Sequence, residues 1–518
     1  MHILDILIVG AGPGGVQLAL TLGEIRQRTS AHFTYRVIEK TSGPGSFFST
    51  FPVHGRLISN NKLYTGRDPK SRFSERFDWN SLVTQDRSIL LRDYSRDFYP
   101  VRDVIPTMLM DLCHRYSVPV DFNVSVRQIS PTDNGLFDVD TSEGSIRARY
   151  VVVATGLKPF VARIPGIELP TPYASMKPRQ HYRDKRTLII GKGNSGFECA
   201  NEIINEANVV MIASPSPTRL AYRTHYVGSV RQTNALPIEN YQLKNQSAIL
   251  DCDITQIARS SAGYEVTVAY KHADGEAETL VFDEVIAATG FTGNLDVLQG
   301  GLNIHLLHNK FPEIDGTFQS CQIGGLYFAG ALTHGIDYRG YSSSGFIHGF
   351  RYNSMILATH LCEKLGITEP QTAIRQSAIV DHLFNELEED AGIYLQPGYI
   401  GRCYRRTGIG DWIDLGHRTK LWFENEQAGD DILLLATLEY ADINRFPDPL
   451  LIPRHPGNAS ESVHIHPVIR ARSGGDTRHV CLEENLLNRF GHMSNNQHLL
   501  KSFMEDIDAA SRAMLSCR

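Results

Sequence analysis

Apolar positions along this chain follow two recurring patterns. Short unbroken runs, "ILDILIV" (3–9) and "TLII" (187–190), predict strands buried on both faces. Each run stops at a glycine cluster, and each cluster opens into apolar residues at helical spacing: "GGVQLALTL" (14–22) and "GFECANEI" (196–203). A further strand follows each helix, "TYRVIE" (34–39) after the first and "VVMIA" (209–213) after the second. Later runs at "ARYVVVATG" (148–156), "FDEVIAATGF" (282–291) and "LYFAGAL" (326–332) predict more buried strands, the first two ending in Ala-Thr-Gly. The stretch "SSGFIHGFRYNSMILATHL" (343–361) then predicts a helix. In the tail, "TAIRQSAIVDHLFNELEED" (372–390) reads as a helix and "ILLLATLEYA" (432–441) as a strand or a buried helix. Between "ILLLATLEYA" and the chain end, "RFPDPLLIPRHPGNAS" (445–460) is a proline-rich connector.

Strand, glycine turn, helix and strand thus occur twice. The expected fold class is α/β, with two Rossmann-like dinucleotide-binding domains, the second inserted in the first, and a C-terminal α+β extension. The boundaries expected are 1–160 and 285–365 for the outer domain, 161–284 for the insert and 366–518 for the extension.

The spacing carries chemistry. In "GAGPGG", Gly10 permits a tight turn, Gly12 lets backbone approach a pyrophosphate, and Gly15 lets the helix lie close to its strand; Pro13 and Gly14 complete the turn. Glu39, followed by Lys40, ends the next strand where an acid would bind a ribose hydroxyl. "GKGNSG" repeats the plan with Gly191, Gly193, Asn194, Ser195 and Gly196, but no acid ends its following strand. Ser214, Ser216 and Arg219 stand there instead, and hydroxyls with an arginine would accept a 2′-phosphate that a carboxylate would repel. Arg219 also reads as a solvated surface arginine. The first loop therefore suits FAD and the second NADPH, with NADH not excluded. The Ala-Thr-Gly turns add Thr155, Gly156, Thr289 and Gly290 to the cofactor residues. Gly330, Gly345 and Phe346 lead to a helix whose positive end would face the flavin.

Composition narrows the partners. At 518 residues with a formal net charge of −6, the chain has the size for several domains and no basic excess for nucleic acid or anionic membrane. No apolar run reaches membrane-spanning length. Eight cysteines stand singly, with no CxxC, which argues against a dithiol centre and for a reduced, cytoplasmic setting. His464 and His466 in "HIHP" lack a third ligand, so no metal is expected.

Against this frame, the paired loops, the two Ala-Thr-Gly strands and "GKGNSG" resemble the two-domain flavoprotein monooxygenases, which include flavin-containing monooxygenases and microbial amine N-hydroxylases. A closer likeness, to the FAD-dependent oxidoreductase domain-containing proteins, is carried by "GSFFSTFPVHGRLISNNKLYTG" (45–66), "DWNSL" (78–82), "THYVGSVR" (224–231) and "DYRGYSSSGFIHGFRY" (337–352). The resemblance implies that Asn61, or Asn60 beside it, stands near the flavin and nicotinamide. It implies that Phe47 and Phe48, with Ser46, pack at the isoalloxazine edge and that Val126 contacts the adenine. It also makes His334, Asp337, Tyr338 and Arg339 in "THGIDYR" candidates beside flavin and substrate, although Asp337 and Arg339 equally read as a turn cap and its surface partner. A monooxygenase fingerprint expected before the second loop is absent; "YASMKPRQHYRDK" (173–185) stands in its place.

The implied activity is oxygenation of a small soft nucleophile by NADPH and O2 through a flavin C4a-hydroperoxide, N-hydroxylation of an amine foremost. An NAD(P)H oxidase releasing peroxide, an S-oxygenase, a Baeyer–Villiger enzyme and a non-catalytic flavin-bound adaptor stay open. So does a homodimer, and the extension is expected either to cover the substrate mouth or to form a dimer contact.

Overall fold

The computed structural model describes residues 3–299, 302–336, 342–429, 431–442, 445, 451–453, 456–473 and 476–516. The chain opens with β1 (Ile3–Val9), α1 (Pro13–Thr29) and β2 (Tyr35–Glu39), then α2 (Val104–Arg115), β3 (Val120–Phe122), β4 (Val126–Pro131), β5 (Phe137–Thr141) and β6 (Gly144–Val153). Ile6, Leu7 and Ile8 are fully buried because β1 is central, with β2 on one side and β6 on the other, both parallel to it. The strand order is β3-β2-β1-β6-β5-β4.

β7 (Leu157–Pro159) leads out of this sheet, and β8 (Thr171–Pro172), β9 (Arg186–Ile190), α3 (Asn194–Ile203), β10 (Val209–Ser214), β11 (Ser247–Ser260), β12 (Gly263–Tyr270), β13 (Ala277–Phe282) and β14 (Glu284–Ala287) build a second one. Its order is β13-β12-β11-β10-β9-β14-β8, so the second sheet continues to Ala287, past residue 284. The chain returns through β15 (Phe291–Gly293), which pairs antiparallel with β7 and makes the two crossings a single ribbon. A short hairpin, β16 (Leu306–Leu307) and β17 (Phe311–Pro312), precedes β18 (Leu326–Phe328), which joins the first sheet beside β6. α4 (Ile347–Lys364) then packs across α1.

The extension is a third body. β19 (Thr372–Ile374), α5 (Ile379–Glu389), α6 (Ala391–Leu395), β20 (Ile400–Thr407), β21 (Trp412–Thr419), β22 (Asp431–Glu439), β23 (His466–Ser473) and β24 (Asp476–Cys481) give a six-stranded antiparallel sheet, with α7 (Ser494–Ser516) closing its core. The run at 432–441 is therefore a strand, and the helix expected over 372–390 splits: its first residues pair with β21 as β19. Ion pairs tie this body to the first: Arg72 meets Glu386 and Asp390, each at 2.6 Å, and Arg418 meets Glu363 at 2.7 Å. His466 is buried at the start of β23 while His464 is exposed, so the two imidazoles do not share one environment. Among the described residues no helix is long and apolar enough to cross a membrane.

Candidate functional site

Both glycine loops leave the carboxyl end of a central strand, where ligands of open α/β sheets bind. Gly10 has φ +111° and Gly191 +121°, backbone that favours glycine, and a side chain at either would strike a carbonyl, that of Ala154 or of Ala288. Gly15 and Gly196 play the packing part: a Cβ there would collide with the Gly10 and Gly191 carbonyls. Gly12 and Gly193 face open space, and each is the N-cap of its helix with no side-chain cap. Neither helix carries an acid in its first turn. Two sets of unpaired helix amides are thus left for anionic ligands, and the cradles fit two dinucleotide pyrophosphates.

The loops open onto one cavity of about 1180 Å³. Its wall takes Gly10, Gly12, Pro13, Gly14, Thr155 and Gly156 from the first loop's side. Gly191, Gly193, Asn194, Ser195, Thr289 and Gly290 come from the second. Glu39, Lys40 and Val126 line it at one end, Ser214 and Ser216 at the other, and Ser46, Phe47 and Phe48 between. Phe47 lies 5.0 Å from Phe51 and 5.5 Å from Phe291, an aromatic patch joining the two Rossmann bodies. Gly330 packs against Gly14, where any side chain would collide, and Gly345 and Phe346 bring the amino end of α4 to the cavity.

The strand tips differ from expectation in detail. Glu39 is buried, and its carboxylate accepts the Ala11 amide at 2.8 Å and the Thr41 amide and hydroxyl at 3.0 and 2.7 Å, so it braces the loop as well as facing the cavity. Arg219 is exposed and off the cavity wall. The cation at that end is Lys192, buried and paired with Asp251, which lies opposite Ser214 on β11.

Asn61 and Asn60 are also off the wall. Asn61 is 2 % exposed, and its Nδ2 donates to the Ser95 and Asp97 carbonyls at 2.9 and 3.2 Å, so both donors are turned to the chain and away from the cavity. Asn80, near it in sequence, does line the cavity, and its Oδ1 accepts the Ser59 hydroxyl at 2.5 Å. His334 does line the cavity; its Nε2 lies 2.9 Å from the Tyr226 hydroxyl and the two rings stack. Burial and then the Lys310 charge pull its pKa down to about 4, so it is neutral near pH 7. Asp337, Tyr338 and Arg339 lie outside the described residues.

Sequence reasoning missed several members of the wall. Glu198 sits on α3 with its carboxyl on the Tyr173 hydroxyl and the His54 amide; burial raises its pKa against those two bonds. Tyr226 and Arg231 come from the loop after β10, and Arg231 lies over the Trp79 ring at 5.4 Å. The signal that could have found them was already in "THYVGSVR", an unusual string outside any regular apolar pattern. No residue after Phe350 lines the cavity, so among the described residues the extension does not form its wall.

Comparison with known proteins agrees with this geometry. A family model for pyridine nucleotide-disulphide oxidoreductases matches residues 7–330. The FAD-dependent oxidoreductase domain-containing protein 2 of Mus musculus is 32% identical over 425 residues, 75% of this chain but only 62% of that protein. The chain thus matches a little under two thirds of that relative's length. Among solved structures, a bacillithiol disulfide reductase from Staphylococcus aureus superposes with a TM-score of 0.53 at 19% identity, over 70% of this chain and 99% of the other. An ornithine N-hydroxylase from Kutzneria sp. 744, solved with reduced FAD, NADP+ and L-ornithine, gives 0.52 at 19% identity, over 70% and 100%. At such identity the likeness is one of fold. By the match over more than half of its length, the chain belongs to the pyridine nucleotide-disulphide oxidoreductase family of FAD- and NADP-binding oxidoreductases.

Proposed function

We propose that this chain is a cytoplasmic, FAD-dependent monooxygenase that uses NADPH and O2 to N-hydroxylate a small amine. The observation that carries the reading is the cavity wall: both glycine loops open on it, and among the described residues no cysteine lines it. Disulfide reduction at the flavin would call for a reactive, accessible thiol on that wall, and the described cysteines are unpaired, most of them buried. Bound FAD, reduced by hydride from NADPH, would supply the oxygen-activating chemistry. The protein's part is placement and exclusion of water. Gly12 and the start of α1 would hold one pyrophosphate, and Gly193 and the start of α3 the other. Phe47, Phe48 and Phe346 give the middle of the cavity an apolar wall. Neutral His334, its Nε2 held beside the Tyr226 hydroxyl, orients that hydroxyl without adding charge to the resting site.

The test is anaerobic mixing of the FAD-loaded protein with NADPH, followed by oxygenated buffer containing a panel of primary amines. The expected result is bleaching of the flavin and a hydroxylated amine, with less than one peroxide released per flavin. One peroxide per flavin with every amine would make the chain an oxidase. No bleaching by NADPH or NADH would overturn the assignment of the second loop.

A further inference from the structure

The amino end of α4 reaches the cavity through Gly345, Phe346, Ile347 and His348, and three serines lead into it. Ser342, Ser343 and Ser344 are all buried, at 1%, 5% and 0% exposure, so their backbone and hydroxyl groups must find partners inside the protein. Part of the demand is met locally: the Ser344 amide donates to Ser342 Oγ at 3.0 Å, and Ser342 Oγ to Ser344 Oγ at 2.6 Å. The Ser343 amide is met from the extension, by Gln396 Oε1 at 2.8 Å.

Gln396 is fully buried at the end of α6. Its Nε2 donates to Ser344 Oγ at 3.0 Å and to Asn353 Oδ1 at 3.1 Å, so its two donors and its acceptor are all engaged on this segment. Asn353, on α4, passes the contact on: its Nδ2 donates to Ser344 Oγ at 2.9 Å and to Thr333 Oγ1 at 2.8 Å. Thr333 precedes His334 and donates to the Gly330 carbonyl at 2.8 Å, and Gly330 packs on Gly14 of the first loop. One buried chain of hydrogen bonds therefore runs from the extension to two elements of the cavity wall. Gln396 is itself anchored, because Asp390 caps α6 through the Ile393 amide at 3.0 Å and is held by Arg72 of the first body.

We propose that the C-terminal extension supports the flavin site from behind its wall, with Gln396 as the positioning residue that sets the start of α4 and the His334 turn against the flavin. The proposal rests on the flavin reading above, but its readouts concern bound FAD alone and do not depend on which substrate is oxidised.

The experiment compares Gln396→Leu, Gln396→Glu, Ser344→Ala and a control, Thr437→Val, in the full chain. Thr437 is buried in the extension and bonds only within it. For each, FAD affinity is measured by fluorescence titration of apoprotein, together with the visible spectrum and reduction potential of the bound flavin. Q396L is expected to weaken FAD about tenfold and to shift the flavin spectrum and potential, with NADP+ affinity unchanged. Q396E, which keeps an acceptor for the Ser343 amide, falls between Q396L and wild type. S344A removes the opposite partner and moves the flavin in the same direction, which keeps the test open if Q396L does not fold. The proposal is overturned if Q396L and S344A leave the bound flavin's spectrum and potential unmoved, or if T437V shifts them equally.

Discussion

The two glycine loops are near copies in backbone and differ in the charged groups that meet them. Gly10 and Gly191, Gly15 and Gly196, and the uncapped starts of α1 and α3 superpose in role one by one. The middle residue of each turn breaks the likeness. In the first loop it is Ala11, and the acid comes to it: Glu39, from the adjacent strand, binds the Ala11 amide. In the second it is Lys192, and its side chain goes out to an acid two strands away, Asp251. The first tip thus spends its carboxylate on the backbone of its own turn, while the second is a neutral pair that an incoming anion can divide.

The largest effects should come from the shared part. Gly15→Val and Gly196→Val each drive a side chain into the carbonyl of the turn's own first glycine. G15V should leave a folded chain that no longer retains FAD on gel filtration. G196V should keep its yellow colour yet be bleached by NADPH roughly 100-fold more slowly, the order expected when a cofactor is misplaced by about an ångström. If either substitution removed both activities, the two loops would not be separate sites.

Next in size is Glu39→Ala. It leaves the buried Ala11 amide and the Thr41 amide without their acceptor, a cost of about 1–3 kcal/mol. FAD titration should show roughly a tenfold rise in Kd, and NADP+ affinity should not move. A smaller effect is expected for Asp251→Asn, which leaves Lys192 without its counter-charge. The NADPH-to-NADH ratio of kcat/KM should then rise by about fivefold, since one charge-assisted contact to a phosphate becomes available. Lys192→Met should move the ratio the other way.

What could be read from sequence was what is local. Gly10 and Gly15 are five residues apart and their roles follow from backbone sterics, so spacing alone exposed them. The strand at 432–441 was legible as apolar, but only its pairing with β20 and β23 made it a strand. Asn61 was misplaced because "ISNNK" lies in irregular chain, where no periodicity says which amide points inward; the bond to Ser95 turns Asn61 away. Asp251 stands 59 residues from Lys192 and Gln396 more than 40 from the residues it holds. No local pattern announces such partners. The helix expected over 372–390 begins late, at Ile379, for a related reason, since pairing with β21 overrode the helical propensity of its first residues.

The smallest effect sharpens the comparison most, because it separates two arginine-or-lysine accounts of the second loop. Read from sequence, Arg219 was the cation for a 2′-phosphate, standing five residues beyond Ser214. In the fold it is exposed and off the cavity wall, whereas Lys192 lines that wall between Gly191 and Gly193. An exposed cation is worth about 0–1 kcal/mol to a nearby anion and is screened further by salt. Arg219→Ala should therefore change KM for NADPH by less than about twofold, with no change in the NADPH-to-NADH ratio at 0.15 M salt. Lys192→Met, in the same assay, should lower that ratio. A fall of tenfold or more in R219A with K192M silent would return the phosphate to Arg219. It would also mean that the Lys192–Asp251 pair does not open when the nucleotide arrives, leaving the second loop as blind to the ribose as the bare glycine turn.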